Sequence, residues 1–358
     1  MSRYLLIDIG AGTMDILYYD DTTALSYKAV VRSPVQYVAE KAAGLAGNLL
    51  LTGNEMGGGA ISAVLKKRAQ THKVVMTASA AATVHHDLKK VTGSGIQIIE
   101  DAEAQALLKN RSYSVLEIGD LDLKRLRQIV EGFGVPFRFD KVGICAQDHG
   151  IPPEGMSHLD YRHGLFKAIL DKTPFPHALL YPRDNVPETF NRLRSIAGAS
   201  RHLPADEVYL MDSGMAAILG ASLDIRAVSL NKVLVLDIAT SHTVGAALDA
   251  GELAGFFEYH THDITLTRIE RLIADLADGK LRHEQILAEG GHGAYTRKSF
   301  GYDAVEIIVA TGPRRKLVEN SRLPIVFGAP YGDNMMTGTV GLLEAIRRHH
   351  NLDTLCYL

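Results

Sequence analysis

Apolar residues fall in short blocks, each closed by Gly, Asp or Thr, and their spacing alternates between strand-like and helical along the chain. Leu5 to Ile7 form the first block. Asp8 closes it, Gly10 and Gly12 make a turn, and Ile16 to Tyr19 resume β-forming residues, which predicts a hairpin with an acidic tip. A third strand over 24–31 and a helix over 35–45 follow. The same reading gives strands over 48–52, 73–77, 97–100, 114–118, 137–145 and 208–210, with helices over 60–68, 78–91, 121–133 and 159–170. Asp120 is the expected N-cap of the 121–133 helix. Prolines punctuate 151–187, which reads as irregular around its one helix. Further on come strands over 232–236, 244–248, 253–258, 306–310 and 324–327. A helix over 266–276 has Asp263 as its expected cap, and a last helix opens at Gly338 and runs through Arg347.

The opening hairpin carries the first candidate chemistry. Gly10, Gly12 and Thr13 let backbone N–H groups approach an anion without interference from Cβ atoms, while Asp8 and Asp15 flank the same spot. Carboxylates beside an anion nest imply a cation between them, and phosphate with Mg²⁺ is the economical reading. A dinucleotide fingerprint would need glycine where Asp15 stands, and the Gly-Lys-Ser/Thr of a Walker A loop occurs nowhere in the chain. An ordinary tight hairpin is the remaining alternative.

Asp237 to Thr243 repeats this design between two strands, with Ala239, Thr240 and Ser241 in place of glycines and His242 before Thr243. Hydroxyls can bind phosphate oxygens, but the added Cβ atoms restrict backbone approach. Gly57, Gly58 and Gly59 stand between a strand and a helix, so their N–H groups suit a phosphate or carboxylate of a substrate, or simply make a flexible connection. Gln147, Asp148 and His149 bunch at a strand's C-terminal end, where they face a substrate or cap the strand. Adjacent imidazoles point about 100° apart on a helix, so His85 and His86 read as surface or capping residues. His260, His262 and Asp263 could share a metal only on a bulged strand; His260 reads better as a polar contact in a cleft. Arg314 and Arg315 after Gly312 suit an anion or solvent, and Met335 and Met336 suit the core.

Composition narrows the class. With 358 residues, 46% of them hydrophobic, the chain is long enough for two domains. A net charge of −3 without a polybasic run gives no electrostatic case for nucleic acid or an anionic membrane surface. No apolar stretch approaches the ~20 residues that span a bilayer, and the N-terminus enters a strand without the regions of a signal peptide; a cytoplasmic protein is expected. Cys145 and Cys356 lie too far apart for a cysteine-rich cluster within one chain.

The motif D-x-G-x-G-T-x-D followed by a second strand resembles the first phosphate motif of the actin, heat-shock chaperone and sugar kinase superfamily. That resemblance implies an α/β, two-lobed actin-like fold, of duplicated ribonuclease H-like type, around a central cleft. The first lobe would span 1–228 with a returning helix over 331–350, and the second 229–330. Its implied ligands are ATP and Mg²⁺, with Asp8 and Asp237 holding the metal through water and the turns at Gly10 to Thr13 and Thr240 to Thr243 gripping phosphates. VGICAQDHG is similar to the sugar-kinase loop in which Gln and His face the substrate, with Asp148 where those enzymes usually carry an apolar residue. Asp212 resembles the acid that begins the inter-domain helix near the attacking hydroxyl or water; in strict alignment on Gly220 that place falls to Ser213. Asp212 or Asp148 is thus the implied base. The ATGPRR segment, with Gly312 and Arg314, stands where the superfamily has a glycine-rich adenosine loop.

Taken together, GAGTMD, TGNEMGGG, DIATSHT, FFEYHTH, ATGPRR and GAPYGDNMMTG also resemble a family often labelled pyruvate-formate-lyase-activating-like. Radical activases of that name need a three-cysteine cluster motif, which two distant cysteines do not supply. The expected activity is an ATP-dependent phosphotransferase or ATPase acting on a small-molecule substrate. The alternative is a non-catalytic ligand- or partner-protein-binding chain on the same fold. Neither reading sets an oligomeric state.

Overall fold

A three-stranded meander founds the first sheet. In the computed structural model, which describes residues 2–355, β1 (Arg3–Ile9), β2 (Thr13–Asp20) and β3 (Leu25–Arg32) pair antiparallel, with Asp8 opposite Asp15. β1 and β2 are buried on both faces, which is why their apolar runs are nearly unbroken rather than alternating. Ser33 caps α1 (Pro34–Gly44) by accepting from Val35 N–H.

The chain then leaves this sheet for an inserted unit. That unit comprises β4 (Asn48–Gly53), α2 (Gly59–Arg68), β5 (Val74–Thr77), α3 (Ala78–Ala81), α4 (Leu88–Gly93), β6 (Ile96–Ile99), α5 (Asp101–Leu107) and β7 (Tyr113–Ile118). Its strands form an all-parallel sheet in the order β6-β5-β4-β7, with an apolar core of its own around Leu49, Ile61 and Met76. After α6 (Leu123–Gly132) the chain returns as β8 (Phe139–Ala146), parallel to β1. α7 (His158–Leu170), β9 (Leu180–Pro182) and α8 (Asn191–Ala199) precede β10 (Ala205–Asp212), which lies parallel to β8. The first sheet is ordered β3-β2-β1-β8-β10-β9.

The second half repeats that plan. Beyond α9 (Ser213–Ser222) come β11 (Lys232–Ile238), β12 (His242–Asp249) and β13 (Glu252–His260), another antiparallel meander. After α10 (Leu266–Ala277), α11 (His283–Ala288) and β14 (Gly293–Thr296), β15 (Ile307–Thr311) joins β11 in parallel and β16 (Ile325–Phe327) joins β15. The order is β14-β13-β12-β11-β15-β16, so both sheets share a core of three antiparallel strands followed by two parallel ones. α12 (Thr337–His349) packs against α9 and lays Leu342 and Ile346 over Gly143 of β8. A side chain on Gly220 would strike the Thr337 carbonyl, and one on Gly341 the Ala216 carbonyl, so these two glycines let the helix backbones touch.

Local departures from the sequence reading have identifiable causes. The cap of α6 is Asp122, which accepts from Arg125 N–H at 3.0 Å, because Asp120 is drawn inside by Arg192. Thr265, not Asp263, caps α10. The helix expected over 78–91 stops at Ala81 and, beyond a turn that carries His85 and His86, restarts as α4, where Asp87 accepts from Lys89 N–H. Cys356 lies outside the described residues.

Candidate functional site

A cavity of about 550 Å³ lies where the two duplicated sheets and the inserted unit meet. Its floor is acidic. Asp8 is next to last in β1 and Asp15 faces it from β2, while Asp237 occupies the matching place on β11. Burial pushes Asp8 up to about 7 and Asp15 to about 8, with like charge adding to both shifts, and burial raises Asp237 to about 6 although Thr311 donates to it. Oδ1 of Asp8 and Oδ1 of Asp15 are buried without a hydrogen-bond partner. Bare carboxylate oxygens in an anionic pocket are the donor set of a hard divalent cation, so these residues fit Mg²⁺. The helix above them comes very close: a Cβ on Gly338 of α12 would fall on Asp8 Oδ2.

The two hairpin turns face each other over this floor, and both line the cavity. Thr240 reaches across, its Cγ2 2.8 Å from where a Gly12 Cβ would stand, so a side chain partly fills the space between the turns. Thr243 does not face the cavity: it is fully buried and shares its hydroxyl with Thr261 at 3.0 Å. Gly312 lines the cavity, but Arg314 is exposed and outside its lining. Arg315 donates instead to the Gly328 carbonyl.

On the side of the inserted unit, Gly57, Gly58 and Gly59 line the cavity at the start of α2. Arg192 of α8 reaches the same place, held by Asp120 through bonds of 2.8 and 2.9 Å and donating to the Gln147 carbonyl at 2.9 Å. Glu55 accepts from Asn191 and pairs with His86 at 2.8 Å, so His86 belongs to the cavity wall rather than the surface.

Gln147, Asp148 and His149 all line the cavity at the end of β8. Burial raises Asp148 to about 6, and its two oxygens accept backbone N–H bonds from Gly150 and Leu193. His149 is held neutral, burial lowering it to about 3. Asp212 lies behind the cavity rather than in it, capping α9 and pairing with Arg162 at 3.0 Å; Ser213 and Gly214 face the cavity in its place. Arg162 also binds Glu258, which in turn accepts from Gln147, so a buried Asp212–Arg162–Glu258–Gln147 chain spans both sheets. His260 and His242 line the opposite wall, with His292 against them.

Several of these residues escaped the sequence reading. Glu258 left a visible trace, a charge set between aromatic residues in FFEYH of β13, whereas Arg162, beside Asp160, Tyr161 and His163 in α7, reads as part of a polar helix face. Arg192 and His292 left little: α8 lies in a stretch to which the sequence reading assigned no element, and His292 is flanked only by glycines.

Two sheets of one topology, each offering the turn of its first hairpin and an aspartate to a shared cleft, define a two-lobed actin-like fold. Within that class the chain belongs to the family described as "Putative pyruvate format-lyase activating enzyme (DUF1786)", which matches residues 56–317. Similar solved structures include a Bacteroides thetaiotaomicron protein with actin-like ATPase fold and unknown function, at 10% identity over 96% of this chain and 95% of that one, TM-score 0.36. A Listeria monocytogenes "putative N-acetylmannosamine kinase" is similar at 11% identity over 98% of this chain and 100% of that one, TM-score 0.36. A filament of AlfA from B. subtilis plasmid pLS32 is similar at 11% identity over 95% and 98%, TM-score 0.38. No curated protein matches the sequence. Among the described residues, no helix is long and apolar enough to cross a membrane.

Proposed function

We propose that the chain is a Mg²⁺-dependent ATPase or phosphotransferase that binds ATP in this cleft and transfers the terminal phosphate to water or to a small-molecule acceptor. The observation that carries this reading is the acidic floor between the two turns, where Asp8 and Asp15 each keep an unpartnered buried oxygen. Asp8 and Asp237 would hold the metal, whose charge would offset that of the phosphate oxygens. The Gly10 N–H closes the turn on the Thr13 carbonyl; the remaining N–H groups between Gly10 and Thr13, with the hydroxyls of Thr240 and Ser241, would bind phosphate oxygens. Gly57 to Gly59, Gln147 and His149 would face the acceptor. Of the two acids considered as base, Asp148 lines the cavity and Asp212 does not, which favours Asp148. The reading requires a compartment that supplies ATP, the cytoplasm.

One observation favours a second reading. Thr240 occupies space between the turns where a glycine would leave room, as expected of a chain that binds a ligand or partner protein without phosphoryl transfer. Calorimetric titration with ATP and Mg²⁺, wild type beside Asp8→Asn, separates the two. Saturable binding that depends on Mg²⁺ and disappears in Asp8→Asn is the expected result. Wild type that binds no ATP overturns the first reading and leaves the second.

A further inference from the structure

Three imidazoles converge at the cleft end of the second sheet, apart from the acidic floor. His242 opens β12 and His260 closes β13, and the two are direct cross-strand partners, so their side chains leave the same face. His292 is the residue before β14, and its backbone N–H donates to the Glu258 carbonyl at 2.8 Å, which fixes it beside the other two. The ring centroids are 4.7 Å apart for His242 and His260, 4.9 Å for His242 and His292, and 4.2 Å for His260 and His292. One ring nitrogen from each lies within 4.8 Å of the others, and among the described residues this is the one group of three ligand-type side chains that does so. Nitrogens sharing a tetrahedral Zn²⁺ at about 2.0–2.1 Å stand roughly 3.4 Å apart, so the rings need close by no more than about 1.4 Å.

Their surroundings match a metal centre more closely than a packed core. His242 Nε2 is buried with no hydrogen-bond partner, a state that native interiors seldom leave uncompensated. Behind the group, Glu258 Oε1 lies 3.6 Å from His292 Nδ1, and Glu258 is itself fixed by Arg162 and Gln147. A carboxylate placed behind a histidine in this way orients ligating rings in metalloproteins. In front, His242 and His260 line the cavity, so a metal held here would face it. Three imidazoles without thiolate or carboxylate in the set suit Zn²⁺ and its borderline neighbours over Mg²⁺ or Ca²⁺.

We propose that His242, His260 and His292 bind one divalent transition-metal ion of the Zn²⁺ type, with its remaining coordination position open to the cavity for water or an oxygen of a bound ligand. The site is separate from the proposed Mg²⁺ floor in place and in donor type, and it stands whether or not the chain binds ATP.

The test uses the full chain stripped of metal with a chelator. Co²⁺ is added as a visible probe, and Zn²⁺ is then titrated to displace it. The expected result is one Co²⁺ per chain with the absorption of a four- or five-coordinate ion, displaced by one equivalent of Zn²⁺. His260→Asn and His292→Asn should each weaken Zn²⁺ binding by more than about 100-fold. His262→Asn, at an exposed neighbour of His260, and Asp8→Asn should leave it unchanged. Zinc-edge X-ray absorption on the wild type counts the imidazole ligands without relying on any variant. Three supports the site. Fewer than three, no Co²⁺ spectrum, or a spectrum that survives both His260→Asn and His292→Asn overturns it. Loss of Mg²⁺-dependent ATP binding in Asp8→Asn with Zn²⁺ binding intact keeps the two proposals separate.

Discussion

Asp8 holds its position because the residue above it has no side chain. Gly338 sits in the first turn of α12, and any Cβ there would collide with the Asp8 carboxylate. Gly338→Ala must therefore displace either Asp8 or the start of a helix that is buried along most of its length. We expect it to abolish Mg²⁺-dependent ATP binding as fully as Asp8→Asn and to cost roughly 1–3 kcal/mol of stability, the usual range for overpacking. Titration calorimetry and urea unfolding check the two parts, and full-strength ATP binding by Gly338→Ala would contradict the placement of Asp8. The buried charges obey a different rule. Arg162 is the cation between Asp212 and Glu258, all three buried, and the Glu258 carboxyl is held well below its usual range despite burial because Arg162 lies beside it. Arg162→Met removes the charge but keeps much of the volume, leaving two acids to be protonated or exposed. A loss of about 3–5 kcal/mol at neutral pH, partly recovered in Arg162→Met/Glu258→Gln, is the expected result of urea titration.

The α9–α12 crossing joins the halves of the chain at backbone distance, through Gly220 and Gly341. Gly341→Ala has no flexible neighbour to push aside, since the atoms it would meet belong to the Ala216 and Gly220 backbones. The helices must separate, so we expect a loss exceeding about 3 kcal/mol or failure to fold, read by thermal unfolding. That crossing also explains what the sequence could disclose. Small residues spaced along 213–220 announced a close helix contact, and the two hairpins, with Asp8 and Asp237 at matching places, announced the duplicated sheets. These signals are local: a short apolar run, turn glycines and an acid near a strand end all lie within about ten residues of one another. What stayed hidden depends on distant partners. Asp120 and Asp122 are equally good caps on paper, and only Arg192, 72 positions along the chain, draws the first inside. His292 acquires meaning from a strand pairing that brings it back to Glu258 and His260, and its neighbouring glycines carry no apolar rhythm to mark β14.

The whole chain carries opposed proton linkages, and they separate by pH. Asp8 and Asp15 have folded pKa values of about 7 and about 8, raised by burial, so the folded state binds protons there that the unfolded chain, with carboxyls near 4, has already lost. Their contribution to stability is complete at low pH and disappears as pH rises through 7 and 8. His163 and His177 act in the other direction: burial lowers both to about 4, so they favour the fold above an unfolded value near 6.5 and penalise it as pH falls toward 4. Between pH 7.5 and 9 the histidines lowered by burial, His149 and His242 among them, are almost wholly neutral in both states, and the acids set the slope. Without divalent cation, stability should therefore fall by roughly 1 kcal/mol across that interval, most of it from Asp15. Mg²⁺ competes with the protons of Asp8, so saturating Mg²⁺ should flatten the slope, and its affinity should rise with pH over the same range. Urea unfolding at pH 7.5, 8.2 and 9.0, with and without Mg²⁺, measures both effects. A stability that rises with pH in the metal-free protein would mean that the acidic floor is already neutralised by protein groups, and the case for a cation between the two turns would then lose its physical basis.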